Sequence, residues 1–140
     1  MAVIDPISLE LEKLSEYDAI ILGASIRYGK HQKSVFNFIN KYKDLLETKK
    51  SAFFSVNVVA RKSEKNSPNT NPYMKKFLKT SSWQPNKLGV FAGKVDYPNY
   101  KFFDKYIIRM IMWITKGPTD ISQSYEFTDW KVVENFAKTL

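Results

Sequence analysis

The chain has no cysteine. Disulfides, thiolate metal sites, iron–sulfur clusters and a cysteine nucleophile are therefore excluded within it. It has one histidine, His31, among 140 residues. A histidine-rich zinc site is out, and a Ser-His-Asp triad would need that one residue as its base. Glycine and proline are sparse, five and six, so collagen-like repeats and low-complexity disorder do not fit. Long hydrophobic runs are missing too. The longest, Tyr106 to Ile114, is broken by Arg109 and falls well short of the roughly 20 residues a membrane span needs. Nor does Met1-Ala2-Val3-Ile4-Asp5-Pro6 carry the charged and apolar regions of a signal peptide.

What is present is a chain of single-domain length, 44% hydrophobic, with a net charge of +8. The positive excess is local. Arg61 to Lys116 holds twelve Lys/Arg against three Asp/Glu, and ten of the 21 aromatic residues; the rest is nearly neutral. A basic aromatic segment suits single-stranded nucleic acid, a membrane interface or a flat anionic ligand.

Apolar runs without polar alternation predict buried strands over Tyr17–Ala24 and Ser51–Ala60, and a third over Leu88–Gly93. Between them, Val35, Phe38, Ile39, Tyr42 and Leu46 recur at helical spacing, predicting a helix over Ser34–Glu47 with Ser34 as N-cap. Asn71-Pro72 reads as a cap and first residue of a helix ending at Thr80. Thr128 or Asp129 caps a last helix in which Trp130, Val133, Phe136 and Leu140 share a face. Strands alternating with helices mean an α/β layered fold with a parallel sheet.

Gly23-Ala24-Ser25-Ile26-Arg27-Tyr28-Gly29 lacks the spacing of a dinucleotide fingerprint, a phosphate loop or a nucleophile elbow. It reads as a small-residue turn at the C-terminal end of a parallel strand, where open α/β sheets bind ligands. Ser55 to Arg61 and Ala92 to Tyr97 leave the same edge. Three such loops can line a pocket for a flat ring. In the segment Tyr97–Lys116, helical spacing sets Lys105, Arg109, Met112 and Lys116 in one stripe amid apolar and aromatic residues. That suits a membrane-interface helix, a wall against an apolar macrocycle, or a core helix with snorkelling cations. His31, between Lys30 and Gln32, reads as a surface residue in preference to a proton shuttle.

GASIRYG, SAFFSVNVVARK, FAGKVDYPNYKFFDKY and YEFTDWKVVENFA together resemble the flavodoxin-like, quinone-dependent protoporphyrinogen dehydrogenase family, in order and spacing, from Asp18 to Ala137. The resemblance implies a flavodoxin-like three-layer sandwich over residues 1–140 with an insertion near residues 94–120. It implies bound FMN, with Ser25, Ile26, Arg27, Tyr28, Gly29, Ser55, Val56, Asn57, Val58, Ala60, Ala92 and Gly93 around the ring. Tyr28 would stack on it, and amides near Asn57 and Gly93 would hold its pyrimidine edge. It implies six-electron oxidation of protoporphyrinogen IX in haem synthesis, with menaquinone or ubiquinone as acceptor. Arg27, Arg61, Lys94, Lys101 and Lys105 are the candidates for the substrate's propionates.

The same resemblance implies a cytoplasmic protein lying on the inner membrane through residues 97–116, without nucleic acid. One departure stands out. The family's first strand, phosphate loop and first helix have no counterpart here, and Met1 to Asp5 resembles the tail of its second strand. An incomplete N-terminus leaves the strand at Tyr17–Ala24 as an open edge that invites oligomerisation, and weak or absent FMN binding is the expectation. The competing reading is a non-enzymatic basic, aromatic module on a membrane or nucleic acid.

Overall fold

A computed structural model of the protein describes residues 11–140. Met1 to Asp5, and with them the suggested strand tail, lie outside the described residues. The elements run α1 (Leu11–Ser15), β1 (Ala19–Arg27), β2 (Lys30–His31), α2 (Lys33–Lys41), α3 (Lys43–Thr48), β3 (Lys50–Val56), α4 (Pro72–Thr80), β4 (Lys87–Phe91), β5 (Lys94–Asp96), α5 (Phe102–Ile114), β6 (Ser124–Glu126) and α6 (Trp130–Lys138). The main sheet has the order β2-β1-β3-β4. β1, β3 and β4 are parallel, and β2 is antiparallel. β5 and β6 form a separate antiparallel pair.

Helices cover both faces of the sheet, and two adjacent residues of β3 show how. Phe53 stacks on Phe77 of α4 with ring centroids 3.8 Å apart. Phe54 turns the other way and meets Phe136 of α6 edge-on. This is the period-two alternation of a strand buried on both faces. Phe38, Ile39, Tyr42 and Leu46 all reach the core beneath α2 and α3. A second, smaller core joins Val95, Tyr97 and Met112 under α5.

Several boundaries differ from the sequence expectation. β1 does not stop at Ala24 but runs on through Ser25, Ile26 and Arg27. The reversal comes at Tyr28 and Gly29, with φ of 51° and 75°. Two successive positive φ values make a tight hairpin turn, and it pairs Arg27 with Lys30. GASIRYG is thus a strand end plus a hairpin, and His31 is carried back over the sheet. It is buried, 6% exposed, which corrects its reading as a surface residue.

The long helix begins at Lys33, with Gln32 in the cap position, and breaks at Tyr42, whose ψ of 19° leaves the helical range. β3 ends at Val56 instead of Ala60, and Val58–Arg61 forms a 3-10 turn. The backbone stays extended through Asn57, whose amide donates to the Phe91 carbonyl of β4 and whose side chain turns inward, and the chain turns only at Val58. Asn71 and Pro72 start α4 as expected, the Asn71 side chain accepting from the amides of Tyr73 and Met74. Asp129 caps α6, but Trp130 and Leu140 are exposed, so Phe136 carries most of that face. The short strand β6 was not legible in the sequence.

Candidate functional site at the strand ends

The parallel register sets Ser25 of β1 beside Val56 of β3, and Val56 beside Phe91 of β4. All three strand ends therefore lie in one row at the C-terminal edge, where α/β sheets receive ligands. Gly93 follows at φ 76°. A Cβ there would lie 2.6 Å from Val56 Cγ1, so only glycine brings this backbone against the neighbouring strand. Ala92 is buried beside it. The 3-10 turn at Val58 leaves its first amides without a partner inside the turn. Small residues, close backbone and free amides in a row fit the edge of a flat heteroaromatic ring such as a flavin. One expected donor is already engaged: the Asn57 amide is held by Phe91 O at 2.9 Å.

Beneath this edge runs a buried chain of polar side chains whose direction is set at one end. Asn71 Oδ1 must accept, because it caps two α4 amides. Its Nδ2 therefore donates, to Asn57 Oδ1 at 3.0 Å and to the Lys65 carbonyl at 2.8 Å. Asn57 Nδ2 in turn donates to Ser55 Oγ at 3.2 Å. Ser55 Oγ is in turn hydrogen-bonded to His31 Nε2 at 2.9 Å. Ser55, Asn57 and Asn71 are all less than 5% exposed. Such a fully satisfied network holds the end of β3 in one geometry. Burial pushes the His31 pKa down to about 4, so the ring is neutral near pH 7. Asn71 was legible only as a cap; its link to Asn57 depends on a fold contact that no local signal carries.

The basic candidates divide. Arg27 and Tyr28 both reach Asp104 on α5. Arg27 Nη2 lies 3.3 Å from Asp104 Oδ2, and the Tyr28 hydroxyl donates to Oδ1. Those contacts, the tyrosine first, hold the Asp104 carboxyl below its usual pKa. Asp104 was not among the sequence candidates, although it is the one acid in an otherwise basic and apolar helix.

Arg61 is turned inward. It donates to the carbonyls of Val58 and Thr115 and to the Thr115 hydroxyl, tying the β3 turn to the end of α5. That engagement occupies the guanidinium expected to meet a propionate. Lys94 pairs with Asp96 at 3.2 Å. Lys101 is exposed at the start of α5 and Lys105 half-buried within it. The expected stripe is interrupted, because Met112 is fully buried while Arg109 and Lys116 face outward. Around them Phe102, Phe103, Tyr106, Met110, Trp113 and Ile114 stand exposed. An open cleft of about 330 Å³ lies between Tyr106, Arg109, Met110, Trp113 and Thr119.

The flavodoxin domain family matches residues 1–122. The protein named protoporphyrinogen IX dehydrogenase [quinone] from Escherichia coli K12 is 42% identical over 132 residues, covering 94% of this chain and 73% of that relative. The protein of the same name from Leishmania major is 47% identical over 124 residues, covering 89% of this chain and 54% of that relative. No solved structure matches the chain. With the parallel sheet, its doubly covered faces and the ordered strand ends, these matches place the chain in the flavodoxin domain family, beside the quinone-dependent protoporphyrinogen IX dehydrogenases.

Proposed function

We propose that this chain is a flavin-dependent oxidoreductase that oxidises protoporphyrinogen IX to protoporphyrin IX and delivers the electrons to a quinone. The observation that supports it best is the row of strand ends at Ser25, Val56 and Phe91, closed by a glycine no other residue can replace. FMN is the flavin proposed, with Ser25 to Gly29, Val56 to Ala60 and Ala92–Gly93 along its ring. A bound flavin supplies the two-electron chemistry that the side chains cannot. The chain's own residues orient and shield. The His31–Ser55–Asn57–Asn71 network fixes the β3 end, and the Arg27–Asp104–Tyr28 cluster holds α5 against the β1 hairpin.

The substrate is an apolar macrocycle with carboxylate arms. The exposed rings of α5 suit its body, while Lys94, Lys101, Lys105 and Arg109 suit its carboxylates. The same outward rings propose a second contact. Phe102, Phe103 and Trp113 are each at least 70% exposed, which fits insertion into a membrane interface, the source of menaquinone or ubiquinone. Among the described residues no helix is long and apolar enough to cross a membrane.

The test is an anaerobic assay. Protoporphyrinogen IX is mixed with the protein, FMN and a soluble quinone, and porphyrin fluorescence is followed. A rise that depends on protein, FMN and quinone together supports the proposal. Fluorescence no faster than the protein-free control, at FMN concentrations shown to saturate the site, overturns it.

A further inference from the structure

α5 and the residue just past it turn one stripe inward: Asp104, Ile108, Met112 and Thr115 recur at helical spacing. Ile108 and Met112 pack into the smaller core. Arg61 holds Thr115 at the C-terminal end of the stripe. Asp104 holds the other end, where no side chain caps the helix. It is the only acid between Tyr97 and Thr119.

The Asp104 carboxylate is gripped by both oxygens. Oδ1 accepts from the Tyr28 hydroxyl, and Oδ2 from Arg27 Nη2 at 3.3 Å. Lys101 adds its charge from the start of α5. A donor on each oxygen is also how proteins hold a ligand's carboxylate. Arg27 and Tyr28 thus form a carboxylate fork, and the chain fills it with its own acid. The fork is open to solvent, for the Asp104 side chain is 16% exposed but that of Arg27 is 59%. Exposed ion pairs add little to stability, so exchanging one carboxylate for another costs the fold little. Tyr28 sits at φ 51°, a conformation uncommon for a residue with a side chain and found most at functional sites. Its turn follows Ser25, which stands in the row of strand ends, so the fork lies beside the proposed flavin edge.

We propose that the Arg27–Tyr28 fork receives one carboxylate arm of the substrate and that Asp104 is its built-in competitor, an inference that rests on the macrocycle reading of the substrate. The arm takes the same two donors that Asp104 gives up, so the charge balance at the fork is unchanged. The first turn of α5 is then free to move, while Met112 and the Arg61–Thr115 contact keep the far end in place. Occupancy of the fork by Asp104 lowers the apparent affinity for the arm, because only the vacant fork binds it. A purely structural Asp104 has the opposite signature: its loss would loosen α5 and weaken binding.

The experiment titrates the chain with protoporphyrin IX, the product that keeps the carboxylate arms, and separately with its dimethyl ester, following the quenching of tryptophan fluorescence. Asp104→Asn should tighten the acid about fivefold and leave the ester unchanged. Arg27→Gln should weaken the acid, and adding Asp104→Asn to it should bring no gain. Unchanged or weaker binding of the acid in Asp104→Asn would overturn the proposal. So would a gain that persists without Arg27, which would mark a general field effect. Equal binding of acid and ester in every variant would overturn the fork and leave the porphyrin reading standing. No saturable binding of either compound to any variant would overturn both.

Discussion

Single residues carry much of this site, and three make measurable claims. Asn71 caps α4 and orients Asn57 and Lys65 together. Asn71→Ala removes a cap and strands buried partners, so a loss of about 2–3 kcal/mol is expected, read by urea unfolding. Gly93→Ala places a Cβ 2.6 Å from Val56 at a φ of 76°. It should destabilise by about 1–3 kcal/mol by the same measurement.

His31 gives a pH signature. Its folded pKa, about 4, lies below the unfolded 6.5, so between those values the unfolded chain binds more protons. Stability from this residue is full above pH 6.5 and falls as pH drops toward 4, by roughly 3 kcal/mol. His31→Phe should flatten stability against pH in that window; an unchanged slope would remove His31 as its source. Sequence reading placed this residue on the surface because its neighbours are polar. Only the hairpin that folds back over Phe53 and Phe77 buries it.

At the scale of elements, the parallel strands and the Asn71-Pro72 helix start were legible, since buried apolar runs and caps are local signals. What was not legible is where strands stop. β1 passes through Gly23 because that glycine, far from turning the chain, makes room for the Phe54 ring; a Cβ there would lie 2.2 Å from it. The turn is made by Tyr28 and Gly29. In β3 the apolar run continues to Ala60, but the chain leaves the strand after the buried, still extended Asn57 and turns from Val58.

α5 shows the same limit. Its spacing promised one basic stripe, yet Met112 points into the small core. Its outward rings lead to a prediction. Phe103→Ser with Trp113→Ser should abolish co-sedimentation with anionic liposomes while leaving the thermal midpoint within a few degrees, because both rings are already in water. Retained binding would assign the membrane contact elsewhere.

For the whole molecule, the net charge of +8 is concentrated in Arg61 to Lys116, which spans α4 to α5, on a nearly neutral framework. Lys75, Lys76 and Lys79 all stand exposed on α4. The fold's contribution is to set the three strand ends in one row, and that row is the central claim. The most direct measurement is amide NMR of the labelled chain titrated with FMN into the millimolar range, where even weak binding is visible. Shifts concentrated at Ser25 to Gly29, Val56 to Ala60 and Ala92–Gly93, and diminished in Gly93→Ala, are the expected result. Shifts confined to α5, or none at millimolar FMN, would contradict a flavin site at the strand ends.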